Sequence, residues 1–452
     1  MNPHADPAEA RDFLAAHPDI EAIELLITDP GGVARGKLVA REELEGIYRE
    51  GRYVAGSILG LDITGEDVEA TGLVWSVGDA DRRCWPIPGT LKRTPWTRRP
   101  CAQVLLTMHD LDGTPTYADP RHALARSIAA LAPLTPVVAA EIEFYLLTRD
   151  ADGTLRPASG LLSGRRQARF DSYGLGKLDD MSPVFDDIYA AAKSMDLPLR
   201  TLMSEYAPGQ FEITLLHRAD ALRAIDEAIV FKRLIRGVAL RHGLIACFMA
   251  KPFEEQAGSG MHVHVSLQND AGENVFGSDD PAGTPLLRHA IGGLQKTMAE
   301  SMLIFAPNAN SYRRFRRMSY APVAPTWGIN NRSVSLRIPA GGAASRHVEH
   351  RVSGADANPY LVAATVLAGV RVGLDGHSDP GPPITGNGYE ATATATLPHD
   401  WHSAIRAADQ SQFLRNALGA ELMQAFIAIK QQECDKFNAK VSAADYEWYL
   451  EN

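Results

Sequence analysis

The chain has 452 residues, of which 45% are hydrophobic, and this length predicts two or three domains with a large apolar core. Its formal net charge of −10 disfavours a protein that binds a polyanion such as nucleic acid. The most apolar helical run, PYLVAATVLAGVRVGL, is short and contains Arg371, so it predicts a buried helix and not a membrane span. The first residues show no signal-peptide pattern and the four cysteines are scattered without a CxxC motif, which favours a cytoplasmic protein with reduced thiols.

The amino-terminal region has a mixed pattern of strands and helices. The runs AIELLITD and LVWSVGD predict strands, and REELEGIYRE between them predicts a short helix. The segment DLDGTP, just after His109, has the composition of a turn. We therefore predict an N-terminal domain over residues 18–112 and a C-terminal domain over residues 113–452.

The second region alternates helices with strands. DPRHALARSIAAL predicts a helix with Asp119 as N-cap and Pro120 in the first turn, and SPVFDDIYAAAKSM repeats that pattern with Ser182 and Pro183. RADALRAIDEAIVFKRLIRGVALRHG predicts a long amphipathic helix. Residues 375–398 are rich in Gly, Pro and Thr and predict a loop, after which the C-terminal stretch is helical.

Two acidic residues interrupt the most strand-like run of the chain, VVAAEIEFYLL. Glu141 and Glu143 are two residues apart, so on a strand their side chains point to the same face. Neighbouring carboxylates away from water repel each other and lose hydration, and hard divalent cations such as Mg²⁺ or Mn²⁺ relieve both penalties. An exposed face at a sheet edge would explain this pair equally well when it is taken alone.

Three further strand-like segments carry residues of the type that bind metals. Each has an ordinary explanation by itself: a hairpin with acidic ends, a structural histidine, or a solvated charged face. Four such segments together make coincidence a poor explanation, and they predict a shared metal site. The residues are Glu205 and Glu212 in SEYAPGQFEI, His262 and His264 in GSGMHVHVSL, and Glu349 with Arg351 in HVEHRV.

Arginines are concentrated in the segment NSYRRFRRMSYAPVAPTWGINNRSVSLRIP. A basic surface loop is the simple explanation, but the acidic balance of the whole chain disfavours a nucleic-acid surface. Guanidinium groups near carboxylate-held metals suit a phosphoryl-transfer site, where they stabilise charge on the moving phosphoryl group. The arginines of this segment are Arg313, Arg314, Arg316, Arg317, Arg332 and Arg337.

These segments make the chain resemble the glutamine synthetase family, in its type I-like branch. The matching motifs are AEIEF, EYAPGQFE, GSGMHVH, NSYRR, NNRSVSLRIP and GADANPYL, which occur in family order between about Glu21 and Tyr449. The resemblance implies an α+β fold, with a small N-terminal β-grasp domain followed by a catalytic domain built on an antiparallel half-barrel sheet with helices. It also implies ATP as co-substrate, two or more Mg²⁺ or Mn²⁺ ions per active site, and a homo-oligomer, a dodecamer of two hexameric rings.

The resemblance implies a role for each matching residue. Three glutamates would hold a first metal beside the acyl substrate: Glu143, Glu205 and Glu212. A second metal, near the ATP phosphates, would be held by Glu141, Glu349 and His262. The substrate glutamate would be bound by Arg314, Arg351 and the backbone of Gly258. Phosphoryl transfer would use Arg332 and Arg337, with Arg337, His264 and Ser266 along the nucleotide channel. One phosphate-side arginine of the family falls on His347, with Arg346 beside it.

Two departures from the family pattern concern the nucleophile. Glutamine synthetases have an acidic residue before an Ala-Pro in a flap, and here RRMSYAP places Tyr320 at that position. They also have an aspartate before Gly-Ser, supplied to a neighbouring subunit's site, and here RYVAGSILG places Ala55 there. A tyrosine hydroxyl carries no charge near neutral pH, so both anions that would hold ammonium and assist its deprotonation are missing. Alanine also leaves space for the carbon chain of an amine.

These departures make the chain similar to the gamma-glutamylputrescine and gamma-glutamylpolyamine synthetase branch of the family. The resemblance implies ATP-dependent ligation of the glutamate γ-carboxylate to a small amine, such as putrescine, a polyamine or another alkylamine, through γ-glutamyl phosphate. Two alternatives remain: a glutamine synthetase that uses ammonia, and a catalytically inactive structural relative. The presence of all six metal ligands with the arginines disfavours the inactive relative.

Overall fold

The computed structural model describes residues 5–390 and 396–452. The predicted loop over 375–398 therefore includes residues 391–395, which lie outside the described residues. The strands are β1 (Ala22–Thr28), β2 (Ala34–Ala40), β3 (Arg52–Ala55), β4 (Asp81–Pro86), β5 (Lys92–Arg93), β6 (Cys101–His109), β7 (Thr135–Arg149), β8 (Leu155–Pro157), β9 (Leu199–Ser204), β10 (Gln210–Leu215), β11 (Ile245–Cys247), β12 (Met261–Gln268), β13 (Trp327–Ile329), β14 (Leu336–Ile338) and β15 (Val348–His350).

Helices cover both sheets and form the C-terminal part of the chain. They are α1 (Pro7–Ala16), α2 (Leu44–Glu50), α3 (Pro120–Ala129), α4 (Leu175–Asp180), α5 (Ser182–Ser194), α6 (Ala221–Arg241), α7 (Pro285–Met298), α8 (Met302–Phe305), α9 (Ala309–Tyr312), α10 (Pro359–Asp375), α11 (Trp401–Gln410), α12 (Gln412–Leu418), α13 (Ala420–Asn438) and α14 (Ala443–Tyr449). Within the described ranges, none of these helices is long and apolar enough to cross a membrane.

A smaller sheet forms in the amino-terminal region, with strand order β2-β1-β6-β4-β3 and β5 paired to β6. Strand β6 is buried at every position, because it lies in the middle of the sheet and pairs in parallel with β1. The apolar face of this sheet packs with α1 and α2 in a core of its own. In α6, Arg233 donates to Gln103 and Glu24 of the smaller sheet, which joins this sheet to the rest of the molecule. The domain boundary at residue 112 stays a prediction.

The strand expected for LVWSVGD is wrong. Trp75–Val77 forms a turn of 3₁₀ helix, and Trp75 is 74% exposed. The carboxylate of Glu69 accepts hydrogen bonds from the backbone N–H groups of Trp75 and Ser76, which favours this local turn over strand pairing. Gly78 follows in the left-handed conformation and ends the turn.

The larger sheet has strand order β13-β14-β15-β12-β7-β10-β9, with β8 and β11 also paired to β7. It curls into a half-barrel with helices, and its pairings are antiparallel except for β13 with β14. The long strand β7 is central, because β12 pairs along one side of it and β10 along the other. The large hydrophobic core lies between this sheet and helices that include α6 and α10. The predicted α+β fold class is confirmed.

Helix starts follow the sequence signals with one exception. The side chain of Asp119 accepts from Arg121 N–H at the start of α3, as predicted for an N-cap. Helix α5 begins one residue earlier than expected: Ser182 is its first residue, and Met181 is an N-cap without a side-chain hydrogen bond. The long helix α6 and the buried helix α10 form where their patterns predict them.

Candidate active site

The candidate site lies on one face of the larger sheet, around the middle of β7. Strand pairing sets Glu141 opposite His262 of β12 and Glu143 opposite Glu212 of β10. Because side chains alternate along a strand, all four point to the same side of the sheet. The two glutamates of β7 therefore each have a partner of the metal-binding type on a neighbouring strand.

Three carboxylates form the first group, which consists of Glu143, Glu205 and Glu212. Their oxygen atoms lie within 4.8 Å of one another. Burial raises the pKa of Glu143 to about 8, and the nearby charge of Glu205 adds to this shift. Burial likewise raises the pKa of Glu212 well above its usual value, with Glu141 and Glu143 contributing. These three acids resist ionisation because their negative charges would lie close together. A divalent cation such as Mg²⁺ or Mn²⁺, which prefers oxygen ligands, would neutralise that charge.

Two groups hold the Glu143 side chain in place. The backbone N–H of Gly260 donates to Glu143 Oε2 at 2.7 Å. Gln210 Nε2 lies 3.4 Å from the same oxygen and donates to the carbonyl of Gly258 at 3.0 Å. Glu143 Oε2 is thus oriented from two sides, by the residue just before β12 and by the first residue of β10.

The second group pairs a histidine with two carboxylates. His262 Nδ1 lies 2.7 Å from Glu141 Oε1 and 3.5 Å from Glu349 Oε1. Burial lowers the pKa of His262 to about 4, so the ring is neutral and its Nδ1–H donates to Glu141. Burial acts to raise the pKa of Glu141, but the hydrogen bond with His262 and the nearby His264 ring outweigh it and hold that pKa well below its usual value. A neutral imidazole between two ionised carboxylates is a fitting donor set for a second divalent cation.

Arginines join this second group to the rest of the sheet. Arg337 Nη1 donates to Glu349 Oε2 at 2.8 Å, and Arg351 donates to the other oxygen of Glu349. Burial acts to raise the pKa of Glu349, but the adjacent Arg351 charge outweighs it and holds that pKa at about 2. Arg314 is only 5% exposed and donates to the carbonyls of Val352 and Arg351. The structure therefore brings the predicted ligands and three of the predicted arginines into one charge network.

Gly258 lies where its backbone is crowded on both sides. A Cβ at this position would stand 2.7 Å from Ala250 O and 2.7 Å from Arg314 Cγ. Only glycine fits between these two groups without a shift of the Arg314 stem. This close approach agrees with a backbone that lines a binding site, which is the role the resemblance implies.

The remaining predicted residues lie on β12, in loops of the larger domain and in the smaller sheet. Ser266 is buried on β12, on the same face as His262 and His264. Arg332 is exposed in the connection between β13 and β14, and burial raises the pKa of Glu205 although the Arg332 charge partly opposes this shift. Tyr320 is 64% exposed and has a positive φ of 58°, while Ala55 ends β3 in the smaller sheet. Their assignment to an amine pocket stays a prediction.

Three contributors were missed from the sequence. Gln210 and the backbone N–H of Gly260 orient Glu143, and the spacing of Gln210 two residues before Glu212 on one strand was the available signal. His217 lies beside His264 and His347, with ring centroids 5.5 Å and 5.3 Å away. No motif in the sequence pointed to His217, because a loop brings it there.

The half-barrel sheet thus has two groups of candidate metal ligands and converging arginines on one face. The family model described as the glutamine synthetase catalytic domain matches residues 117–449, and the chain belongs to the glutamine synthetase family. It is an enzyme of the carbon–nitrogen ligase class.

Several known proteins are similar to this chain over nearly its whole length. The gamma-glutamylputrescine synthetase PuuA of Escherichia coli (strain K12) is 39% identical over 98% of this chain and 94% of its own. The glutamate–isopropylamine ligase of a Pseudomonas species is 32% identical over 98% of this chain and 97% of its own. A solved structure of GmaS in complex with ADP, in its conformation 1, is 28% identical, has a TM-score of 0.84 and covers 99% of both chains.

Proposed function

We propose that this enzyme joins the γ-carboxylate of glutamate to a small alkylamine at the expense of ATP. The observation that carries the proposal is the pair of ligand groups on the β7 face, which supplies places for two cations beside buried arginines. The amine as acceptor is supported by the two relatives described above, both named for joining a glutamyl group or glutamate to an amine. Tyr320 and Ala55, which replace acidic residues of ammonium-using enzymes, support the same choice.

The chemistry needs two steps. A γ-carboxylate oxygen of glutamate attacks the terminal phosphorus of ATP, which forms γ-glutamyl phosphate and releases ADP. The amine nitrogen then attacks the acyl carbon, phosphate leaves, and the nitrogen loses a proton. Phosphorylation is required because a carboxylate is a poor electrophile. In γ-glutamyl phosphate, one carboxylate oxygen is part of a phosphate group, which leaves readily when the amine attacks.

The residues would divide this work between binding and charge stabilisation. Two sets would hold the cations, which neutralise phosphate and carboxylate charge when bound: Glu143, Glu205 and Glu212, and Glu141, Glu349 and His262. Arg314, Arg351 and the Gly258 backbone would bind the substrate glutamate. Arg332 and Arg337 would stabilise the phosphoryl group as it transfers, since guanidinium forks match phosphate oxygens. His264 and Ser266 would line the path of the nucleotide.

The acceptor test separates the two candidate activities. Phosphate release is measured with glutamate, ATP and Mg²⁺ against putrescine, longer polyamines, ethanolamine, isopropylamine and ammonium, and products are identified by mass spectrometry. We expect a γ-glutamylamide and a higher rate with at least one alkylamine than with ammonium. A preference for ammonium over every amine would make the chain a glutamine synthetase in activity, and the absence of phosphate release with all acceptors would support an inactive relative.

We also propose that the protein works in the cytoplasm as a homo-oligomer, a dodecamer of two hexameric rings. The position of Ala55 supports shared sites, because it lies at the end of β3 in the smaller sheet and not on the sheet that carries the carboxylates. An amine pocket that includes Ala55 would then form between neighbouring subunits. Closed symmetric assemblies of this kind are common among soluble enzymes.

A further inference from the structure

We propose that His217, His264 and His347 form a third divalent-cation site, suited to Zn²⁺ or another transition metal of similar character. His217 lies in the connection between β10 and α6, His264 on β12, and His347 just before β15. Each ring offers a nitrogen within 4.8 Å of the others. The ring centroids of His264 and His347 are 5.1 Å apart, and both lie within 5.5 Å of the His217 ring.

Hydrogen bonding on the outside of the cluster determines which nitrogens face inwards. His347 Nδ1 lies 2.6 Å from the carbonyl oxygen of Ser345. A carbonyl can only accept, so His347 Nδ1 carries the proton and the lone pair of a neutral ring is on Nε2. That Nε2 faces His264 Nδ1 at 3.0 Å, at the centre of the cluster.

His264 provides the second and independent observation. The residue is 7% exposed, and its Nε2 is a buried atom without a hydrogen-bond partner among the described residues. The nearest acid, Glu141 Oε2, is 3.6 Å from it, too far for a hydrogen bond. If His264 Nδ1 instead bound a metal, Nε2 would carry the proton and turn it towards Glu141, which is the arrangement of most metal-bound histidines.

The donor set determines the class of metal. Three imidazoles without a carboxylate favour Zn²⁺, Co²⁺ or Ni²⁺ over Mg²⁺, which prefers oxygen. Two imidazole nitrogens bound to one tetrahedral zinc are about 3.3 Å apart, from Zn–N distances of about 2.05 Å. The distance of 3.0 Å between His264 Nδ1 and His347 Nε2 needs to change by only a few tenths of an ångström. Three protein ligands leave one position for water or a phosphate oxygen.

A proton shared between His264 and His347 is the competing explanation. It would satisfy the pair, and His217 would then only pack edge-on against the two rings, whereas a cation would use the nitrogen of His217 as a third ligand. His264 also lies within reach of Glu141 and Glu349, whereas His217 and His347 belong to neither carboxylate group.

Cobalt binding tests the site without reference to ligase activity. Co²⁺ is titrated into the full-length protein in excess Mg²⁺, without nucleotide, and visible absorption is recorded, because four-coordinate cobalt absorbs far more strongly than six-coordinate cobalt in an oxygen site. We expect one equivalent per chain with the strong spectrum, and competition by Zn²⁺. His217→Asn should weaken this binding at least ~100-fold, beyond the loss that follows removal of an outer-shell partner.

His217 suits this test because it is exposed and its replacement does not disturb the core. The matched control is His377→Asn, since His377 also neighbours a second histidine, with its ring centroid 5.1 Å from that of His289. His377→Asn should leave the cobalt titration unchanged. Equal titrations of the wild type and His217→Asn, or equal weakening by His377→Asn, would overturn the proposal, and a failed amine assay would not affect it.

Discussion

His262 Nδ1 lies 2.7 Å from Glu141 Oε1, across the pairing of β12 with β7. The histidine is neutral and the carboxylate is ionised. Burial lowers the pKa of His262, and the hydrogen bond with His262 and the nearby His264 ring lower that of Glu141 against the effect of burial. The proton on Nδ1 therefore stands between Glu141 and Glu349, where a cation would be shared. Metal binding through His262 Nδ1 must move that proton to Nε2 of the same ring, whereas the first group must lose protons from its glutamates with raised pKa values.

The first prediction concerns the three-carboxylate group. Replacing Glu143, Glu205 or Glu212 singly with glutamine keeps the side-chain shape but removes one anion, so the cation and the γ-carboxylate are misplaced. We expect each change to lower kcat/KM by about 100-fold or more, on the scale of losing one preorganised electrostatic contact. Steady-state phosphate release checks this, with the exposed Glu421→Gln as the control. Near wild-type activity in any of the three would remove that residue from the ligand set.

The second prediction concerns pH. The pKa of Glu143 is raised to about 8 by burial and by the Glu205 charge, so this acid is protonated at pH 6 in the ion-free protein. A cation binds the carboxylate form, and affinity for Mg²⁺ should therefore rise from pH 6 to pH 8 by up to about tenfold per unit for each proton released. Calorimetry in buffers with different ionisation enthalpies measures both the affinity and the proton release. Constant affinity over this range, or an unchanged slope in Glu143→Gln, would contradict the shift.

The third prediction concerns the backbone beside Arg314. In Gly258→Ala the new Cβ meets Ala250 O and Arg314 Cγ at 2.7 Å, so the arginine stem or the loop must move. We expect a rise of about tenfold or more in KM for glutamate, because displacement of a positioning group weakens binding steeply. Gly342→Ala is the matched control, since a Cβ there has nothing within 4 Å. If both variants show wild-type KM values, the glutamate does not bind against Gly258.

The fourth prediction concerns the nucleophile. The carbon chain of an amine should contribute binding by apolar burial, about 0.8 kcal/mol per CH₂ at most. An alkylamine should then have a kcat/KM at least ~10-fold above that of ammonium, from about two buried methylenes. The double change Tyr320→Glu with Ala55→Asp should shift the preference towards ammonium, while either change alone separates flap from neighbouring-subunit effects. No shift in the double variant would show that these positions do not line the acceptor pocket.

The fifth prediction concerns assembly. Multi-angle light scattering should give a particle about twelve times the 49.0 kDa chain mass. Mixing Ala55→Asp subunits, which should favour ammonium over an amine, with Glu143→Gln subunits tests whether sites are shared, because recovery of amine ligation in the mixture requires residues from two chains at one site. An active monomer would contradict a site built between neighbours.

Much of the site was predictable because it lies on strands. The spacing of Glu141 and Glu143 fixes a common face once the run is recognised as a strand, and the pairing with His262 follows from neighbouring strands with the same alternation. The error at Trp75 has a different origin. The Glu69 carboxylate accepts a hydrogen bond from the Trp75 backbone N–H, and this bond competes with strand pairing but leaves no trace in the pattern of hydrophobic residues.

The site residues that the sequence did not predict depend on the path of a loop and on the pairing of neighbouring strands. His217 reaches His264 only because of the path between β10 and α6, which no periodicity encodes. Gln210 was visible in the sequence, but its function as a donor to Glu143 depends on a distance of 3.4 Å that only the folded sheet sets. The spacing of residues in the sequence can predict metal ligands on strands. The groups that orient those ligands can be identified only from the distances in the folded structure.

Strand β7 is paired along both sides, and this makes cation binding sensitive to strand alignment. A slip of one residue would turn Glu141 and Glu143 into the apolar core and bring Ile142 to the site face. Such a misaligned chain would bury two charges and would have neither ligand group, so it could not take up cations. Cations that bind this site therefore stabilise only the chain in which β7 is correctly aligned with its neighbours.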